Sequence, residues 1–296
     1  MDAPDLLTIT CSDGAEIIAR RYAREGRPRL LLSHGNGFGI DGYQAFWSLL
    51  LADYEVVVFD LRNHGRNPLH DIEHHTVAQM AHDHGSVLTQ VAAAFGECKT
   101  AGLFHSISSI AAIMAGELYK TKWDALILYD PPLTAPQGNP LRDGGQGIDD
   151  YLANNARLRR HHFDRIEELA RDLGARVGRN WVEGAALDMA QGTTRPAEDG
   201  GYELSCPGDY EARIYKDNSR TESWQALKSL QQPTFILGAD PEAARALAPA
   251  KVGPAAAEAF GLEHVAVPGT GHVLQVEKPA DCVRETIRFL QRAGLH

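Results

Sequence analysis

The chain has 296 residues, 44% hydrophobic and 23% charged, a balance that excludes a disordered chain and supplies a large core without disulfide staples. Asp and Glu number 39 against 29 Lys and Arg, giving a formal charge of −10 with no concentrated basic run, so no nucleic-acid partner is expected. Cys11, Cys98, Cys206 and Cys282 lack paired spacing, Met1 to Asp5 carries two carboxylates in place of an apolar leader, and no apolar run nears the roughly 18 residues of a membrane span; the expectation is a cytoplasmic protein in a reducing compartment, with no membrane partner.

In chain order, Leu6 to Thr10 and Glu16 to Tyr22 flank Ser12-Asp13-Gly14 and predict an opening hairpin. Apolar runs at Arg29 to Leu32, Glu55 to Phe59, Thr100 to Phe104 and Ala125 to Tyr129 have strand length. The continuous runs Val56 to Phe59 and Leu126 to Leu128 suit a parallel sheet covered on both faces. Helix-like segments at Tyr43 to Ala52, Thr76 to Phe95 and Ile107 to Tyr119 join these strands as βαβ units.

From Leu133 to about Gln225 the strand pattern stops, and a polar, helix-rich stretch with glycine turns at Gly144-Gly145 and Gly200-Gly201 intervenes. Strands resume at Thr234 to Leu237 and His264 to Val267, and Pro279 to Arg292 closes the chain as a helix. The predicted class is α/β, with a core in two parts, residues 1–132 and 226–296, and a helical cap inserted at 133–225.

Four motifs fall at strand ends, where ligands gather in open α/β sheets. The first, Ser33-His34-Gly35-Asn36-Gly37-Phe38-Gly39, has glycines that permit a tight turn exposing backbone N–H groups to a developing oxyanion. A dinucleotide loop is its rival, but Gly35-x-Gly37-x-x-Ile40 lacks the third glycine. The second, the strand end Phe59 to Asn67, reads as a hydrogen-bonded loop that fixes its neighbours, and His64 is kept out of the site.

The third motif, Gly102 to Ser109, runs from a strand straight into a helix. That junction would project the Ser106 hydroxyl from the sheet and leave the Ile107 N–H at a helix start; plain N-capping by Ser106, Ser108 or Ser109 is the alternative. The fourth, Pro268-Gly269-Thr270-Gly271-His272, follows the last strand and can offer an imidazole to a serine nucleophile. The carboxylate that orients this imidazole is expected from Asp240, after the penultimate strand, with Asp130 in reserve.

Taken together, and over nearly the whole length, these motifs resemble the α/β-hydrolase family in its capped, serine-nucleophile, esterase-like branch. The resemblance implies an α/β-hydrolase fold, a mostly parallel eight-stranded sheet with an inserted helical cap. It implies Ser106 as nucleophile, His272 as general base and later acid, and Asp240 as its orienter. The oxyanion hole would come from the N–H groups of Ile107 and of Asn36 or Gly37. The elbow departs from the family's usual Gly-x-Ser-x-Gly by placing Phe104 and Ser108 at the flanks, while the small Ser109, Ala111 and Ala112 let the helix approach the strand.

A serine at the elbow removes epoxide opening and carbon–halogen displacement, which need a carboxylate there. The expected reaction is hydrolysis of a small carboxylic ester. One alternative is C–C bond cleavage of a diketone-like acid, which calls for a cationic contact from Arg157, Arg159, Arg160, Arg176 or Arg179 of the cap. Another is a non-catalytic ligand-binding protein on the same fold. No cofactor is expected, and no metal, because the imidazoles and carboxylates between His70 and His84 present no shared facing pair. The expected partner is a small-molecule substrate, with homo-oligomerisation left open.

Overall fold

The computed structural model describes residues 3–143, 147–244 and 246–296. Met1, Asp2 and the Gly144-Gly145 turn considered above lie outside the described residues.

Six strands precede the inserted segment: β1 (Asp5–Thr10), β2 (Glu16–Tyr22), β3 (Arg29–Ser33), β4 (Glu55–Phe59), β5 (Thr100–His105) and β6 (Ala125–Tyr129). Three short strands lie within it, β7 (His162–Phe163), β8 (Thr194–Pro196) and β9 (Tyr202–Leu204), and two follow, β10 (Thr234–Gly238) and β11 (Glu263–Ala266). The central sheet has eight strands in the order β1-β2-β4-β3-β5-β6-β10-β11. β2 runs antiparallel to both β1 and β4, and every other pairing is parallel. This is the α/β-hydrolase architecture.

Continuous apolar strands follow from burial on both faces. In β4, Val56 and Val58 enter one core cluster while Val57 and Phe59 enter another on the opposite face. Each is 1% exposed or less, a burial that contributes about 1.5–3 kcal/mol per side chain. Two long helices cover the middle of the sheet, α1 (Val77–Phe95) and α2 (Ile107–Tyr119). Thr76 caps α1 by accepting from Gln79 N at 3.1 Å.

The insert carries four longer helices, α3 (Ile148–Arg157), α4 (Ile166–Ala175), α5 (Ala185–Thr193) and α6 (Gly208–Asn218). The chain then returns through β10, α7 (Ala248–Phe260), β11 and α8 (Pro279–Arg292). Among the described residues, no helix is long and apolar enough to cross a membrane.

Three local expectations change. The helix expected over Tyr43 to Ala52 is a chain of short turns, Ile40–Tyr43, Gln44–Trp47 and Ser48–Ala52. The insert is not free of strands, since β7, β9 and β8 form a small antiparallel sheet whose two- and three-residue strands are too short to carry an alternating pattern. Helix α7 escapes sequence reading because Gly253 and Pro254 sit inside it.

Tight contacts seat the insert on the core. A Cβ on Gly39 would collide with the Gly192 carbonyl, and one on Gly42 with the Met189 sulfur, so α5 lies directly against the segment that follows β3. From α6, Asp217 Oδ2 accepts the free Val77 N–H at the start of α1 (2.7 Å), and Tyr210 donates to the His70 carbonyl (3.0 Å).

Candidate active site

Strand order places the site. The chain leaves β3 for β4 on one side and returns to β5 on the other, so β3 and β5 flank the point where the order reverses. Ser33 pairs with Phe104 and His105 with Tyr129, which starts the loops after β3, β5 and β6 side by side.

Ser106 occupies the junction of β5 and α2 with φ 55° and ψ −121°, a conformation that costs a side-chain-bearing residue about 1–3 kcal/mol. Its surroundings hold it there. Ser106 N donates to Tyr129 O at 2.9 Å, and the Ser108 hydroxyl accepts from His105 N (2.9 Å) while donating to His105 O (2.8 Å). A serine in place of the family's second glycine thus braces the turn. The Ser106 side chain caps no helix N–H, so the capping alternative does not describe it.

Phe104 is accommodated by turning its ring away from the elbow. The ring packs edge-on against His84 and Trp123, at centroid separations of 4.7 and 5.2 Å. It lies over Gly102, where an added Cβ would strike its edge. The glycine missing at position 104 is in effect supplied two residues earlier on the same strand face.

His272 brings Nε2 to 2.9 Å from Ser106 Oγ and Nδ1 to 2.6 Å from Asp130 Oδ2. Asp130 is 1% exposed, and its other oxygen accepts Ala239 N at 3.0 Å. The expected assignment of Asp240 is therefore corrected. Its carboxylate accepts Gly269 N from the loop after β11 (2.7 Å) and Glu242 N from its own loop (2.9 Å), bonds that hold it below the usual carboxylate range and tie the two loops together. The reason is topological: β6 is the direct neighbour of β5, whereas β10 stands one strand farther out.

His105 ties these pieces together. Its Nε2–H donates to the His272 carbonyl (2.7 Å), so Nδ1 accepts the Tyr43 hydroxyl proton (2.7 Å), and Tyr43 O in turn accepts Gly35 N–H (3.3 Å). Burial, reinforced by the neighbouring His272, pushes His105 well below the ordinary histidine value and keeps this neutral tautomer.

The loop after β3 lies against the serine, with the Cβ direction of Gly35 reaching within 3.2 Å of Ser106 Cβ. Of the three expected oxyanion donors, Gly37 is corrected, because its N–H donates to His64 Nε2 at 3.1 Å. The N–H groups of Asn36 and Ile107 donate to no acceptor among the described residues and remain open. His64, set aside on sequence grounds, thus fixes the loop after β3 from 27 residues away.

His64, His75 and Cys206 place one potential metal-ligand atom each within 4.8 Å of one another. His64 donates from Nδ1 to Arg62 O, leaving Nε2 to accept Gly37 N–H, while His75 Nδ1 accepts from Asn63 Nδ2. Both imidazole lone pairs are thereby occupied. Burial also raises the Cys206 thiol well above its ordinary value, so the cluster is a packed, neutral layer beneath the loop after β3.

The sequence matches the model of the alpha/beta hydrolase family over residues 30–285. No curated protein matches it. Among solved structures the chain is similar to E-2-(acetamidomethylene)succinate hydrolase, with a TM-score of 0.79 and 16% identity over 97% of this chain and 99% of that one. It is similar to a thioesterase domain from the curacin biosynthetic pathway, with a TM-score of 0.74 and 19% identity over 97% and 100%. It is also similar to a malate-bound thermophilic esterase from Thermogutta terrifontis, with a TM-score of 0.69 and 20% identity over 98% and 99%. At these identities the likeness is one of fold.

Proposed function

Because the chain belongs to the alpha/beta hydrolase family, we propose that it is a serine hydrolase cleaving a small carboxylic ester through an acyl-enzyme on Ser106. The observation that carries this reading is the continuous line from Asp130 through His272 to Ser106, with separations of 2.6 and 2.9 Å. Ser106 Oγ attacks the ester carbonyl and passes its proton to His272 Nε2. Asp130 holds the imidazole in the required tautomer and stabilises the imidazolium, while the Asn36 and Ile107 N–H groups stabilise the oxyanion.

Collapse of the tetrahedral intermediate expels the alcohol, which takes the proton back from His272. Water, deprotonated by the same imidazole, then attacks the acyl carbonyl and frees Ser106. The insert acts as a cap that leaves Ser106 only 8% exposed, which favours short acyl groups. The similar structures include an esterase and a thioesterase, in keeping with acyl chemistry.

The test is turnover of p-nitrophenyl acetate and butyrate, which should exceed that of long-chain esters. Ser106→Ala should lower kcat by roughly a thousandfold or more; equal turnover by that variant would remove the assignment. A second reading, C–C cleavage of a diketone-like acid by the same groups, draws support from one observation: of the five cap arginines named from sequence, Arg159 alone is turned inward and the other four are exposed.

A further inference from the structure

Arg159 follows α3 and reaches across to the core, where Nη1 stands 3.4 Å from the Gly37 carbonyl and pairs with Glu211 Oε2. Glu211, on α6, is buried, and its second oxygen accepts the Tyr215 hydroxyl at 3.2 Å. The remaining guanidinium nitrogens, Nε and Nη2, bond to no described residue and are not sealed in protein. Asn36, next to Gly37 in the chain and 8% exposed, gives Nδ2 to the Glu211 carbonyl and leaves Oδ1 buried with no donor among the described residues.

A buried ion pair is a poor way to gain stability, since desolvation offsets most of its attraction and apolar packing would do as well. Here the pair fixes the plane of a guanidinium whose unspent N–H groups match the geometry of a carboxylate. Its position relative to Ser106 is set by short links. A Cβ on Gly35 would lie 3.2 Å from Ser106 Cβ, and Gly37 is two residues on, so the guanidinium stands on the order of 10 Å from Ser106. That is the span of a short dicarboxylic half-ester.

We propose that Arg159 forms a carboxylate-binding subsite, so that the favoured substrate is a half-ester of a short dicarboxylic acid whose free carboxylate docks on Nε and Nη2 while Ser106 attacks the esterified end. The proposal rests on the serine-hydrolase reading for its reaction. Water is consumed, the ester C–O bond breaks, and a dicarboxylic acid and an alcohol are released. Glu211 and Tyr215 are positioning residues that hold the guanidinium.

The experiment compares p-nitrophenyl hydrogen glutarate with its neutral methyl p-nitrophenyl diester, and adds heat-stability measurements of Ser106→Ala protein with free glutarate. The native chain should prefer the half-ester in kcat/KM by about ten- to a hundredfold, the range of a charge-assisted hydrogen-bonded pair. Arg159→Met combined with Glu211→Gln, which leaves no buried charge unpaired, should abolish that preference, and Arg159→Lys should keep part of it. Glutarate should raise the melting temperature of Ser106→Ala but not of the same protein also carrying the Arg159 and Glu211 substitutions.

An unchanged preference in the double variant, with both esters still hydrolysed through Ser106, would overturn the subsite and leave the hydrolase reading standing. Failure to hydrolyse either ester, with glutarate still stabilising the Ser106→Ala protein through Arg159, would support the subsite and sink the ester chemistry.

Discussion

Two strand ends of the same sheet each present an aspartate, and their fates differ. After β6, Asp130 is buried and meets His272; after β10, Asp240 accepts two backbone N–H groups, Glu242 of its own loop and Gly269 of the loop after β11. Both are aspartates within two residues of the end of a parallel strand. What separates them is adjacency: β6 is in hydrogen-bonded register with β5, the strand that ends at Ser106, and β10 is not. A site at a topological switch point is assembled by strand order before it is refined by side chains.

The contrast is broken most severely by removing the buried acid. Asp130→Asn should lower kcat by about 10⁴, because the imidazole loses its tautomer and its counter-charge; steady-state turnover of p-nitrophenyl butyrate measures it. The register that favours Asp130 depends on β5 lying flat against β6. Gly102→Ala would press on the Phe104 ring and come within 2.9 Å of Leu126 on β6, so a loss of about 1–3 kcal/mol in urea unfolding is expected.

Acid sharpens the same comparison through the histidines packed around the site. His64 is held near 3 and His84 near 4 by burial, and His105 lies well below its ordinary value. Unfolded histidines titrate near 6.5. Below that pH the unfolded chain binds protons that the fold excludes, so stability is full above about 6.5 and falls as pH drops toward 4, by up to about 1.4 kcal/mol per unit for each such histidine. Thermal melts at pH 7, 6 and 5 should show a falling midpoint, and a flat profile would mean the imidazoles are not held neutral. The smallest effect belongs to the partly exposed acid: Asp240→Asn should leave kcat within about twofold and lower the thermal midpoint only slightly, as the tie between the loops after β10 and β11 loosens.

Much of this was legible in the chain. The strands of the core are continuous apolar runs because helices cover both faces, and Ser106 and His272 stand at strand-to-loop junctions that their neighbours mark. Asp130 carried a usable signal as well. A right-handed βαβ crossover through the helix after Ser106 sets β6 beside β5, which argues for the nearer acid. The spent N–H of Gly37 and the inward turn of Arg159 had no such mark. Each depends on a partner far along the chain, His64 in one case and Glu211 in the other, and on how the insert seats over the strand ends. The tolerance of Phe104 was legible only in part, since Gly102 reads as an ordinary strand glycine until the ring is seen above it.

The most direct test of the account is the rate and position of fluorophosphonate labelling in the native chain and in the Asp130→Asn and Asp240→Asn variants. Modification should map to Ser106 in the native protein, proceed at the same rate in the Asp240 variant, and slow by orders of magnitude in the Asp130 variant. Attachment to any other residue, or slowing by the Asp240 substitution with the Asp130 variant unaffected, would contradict it.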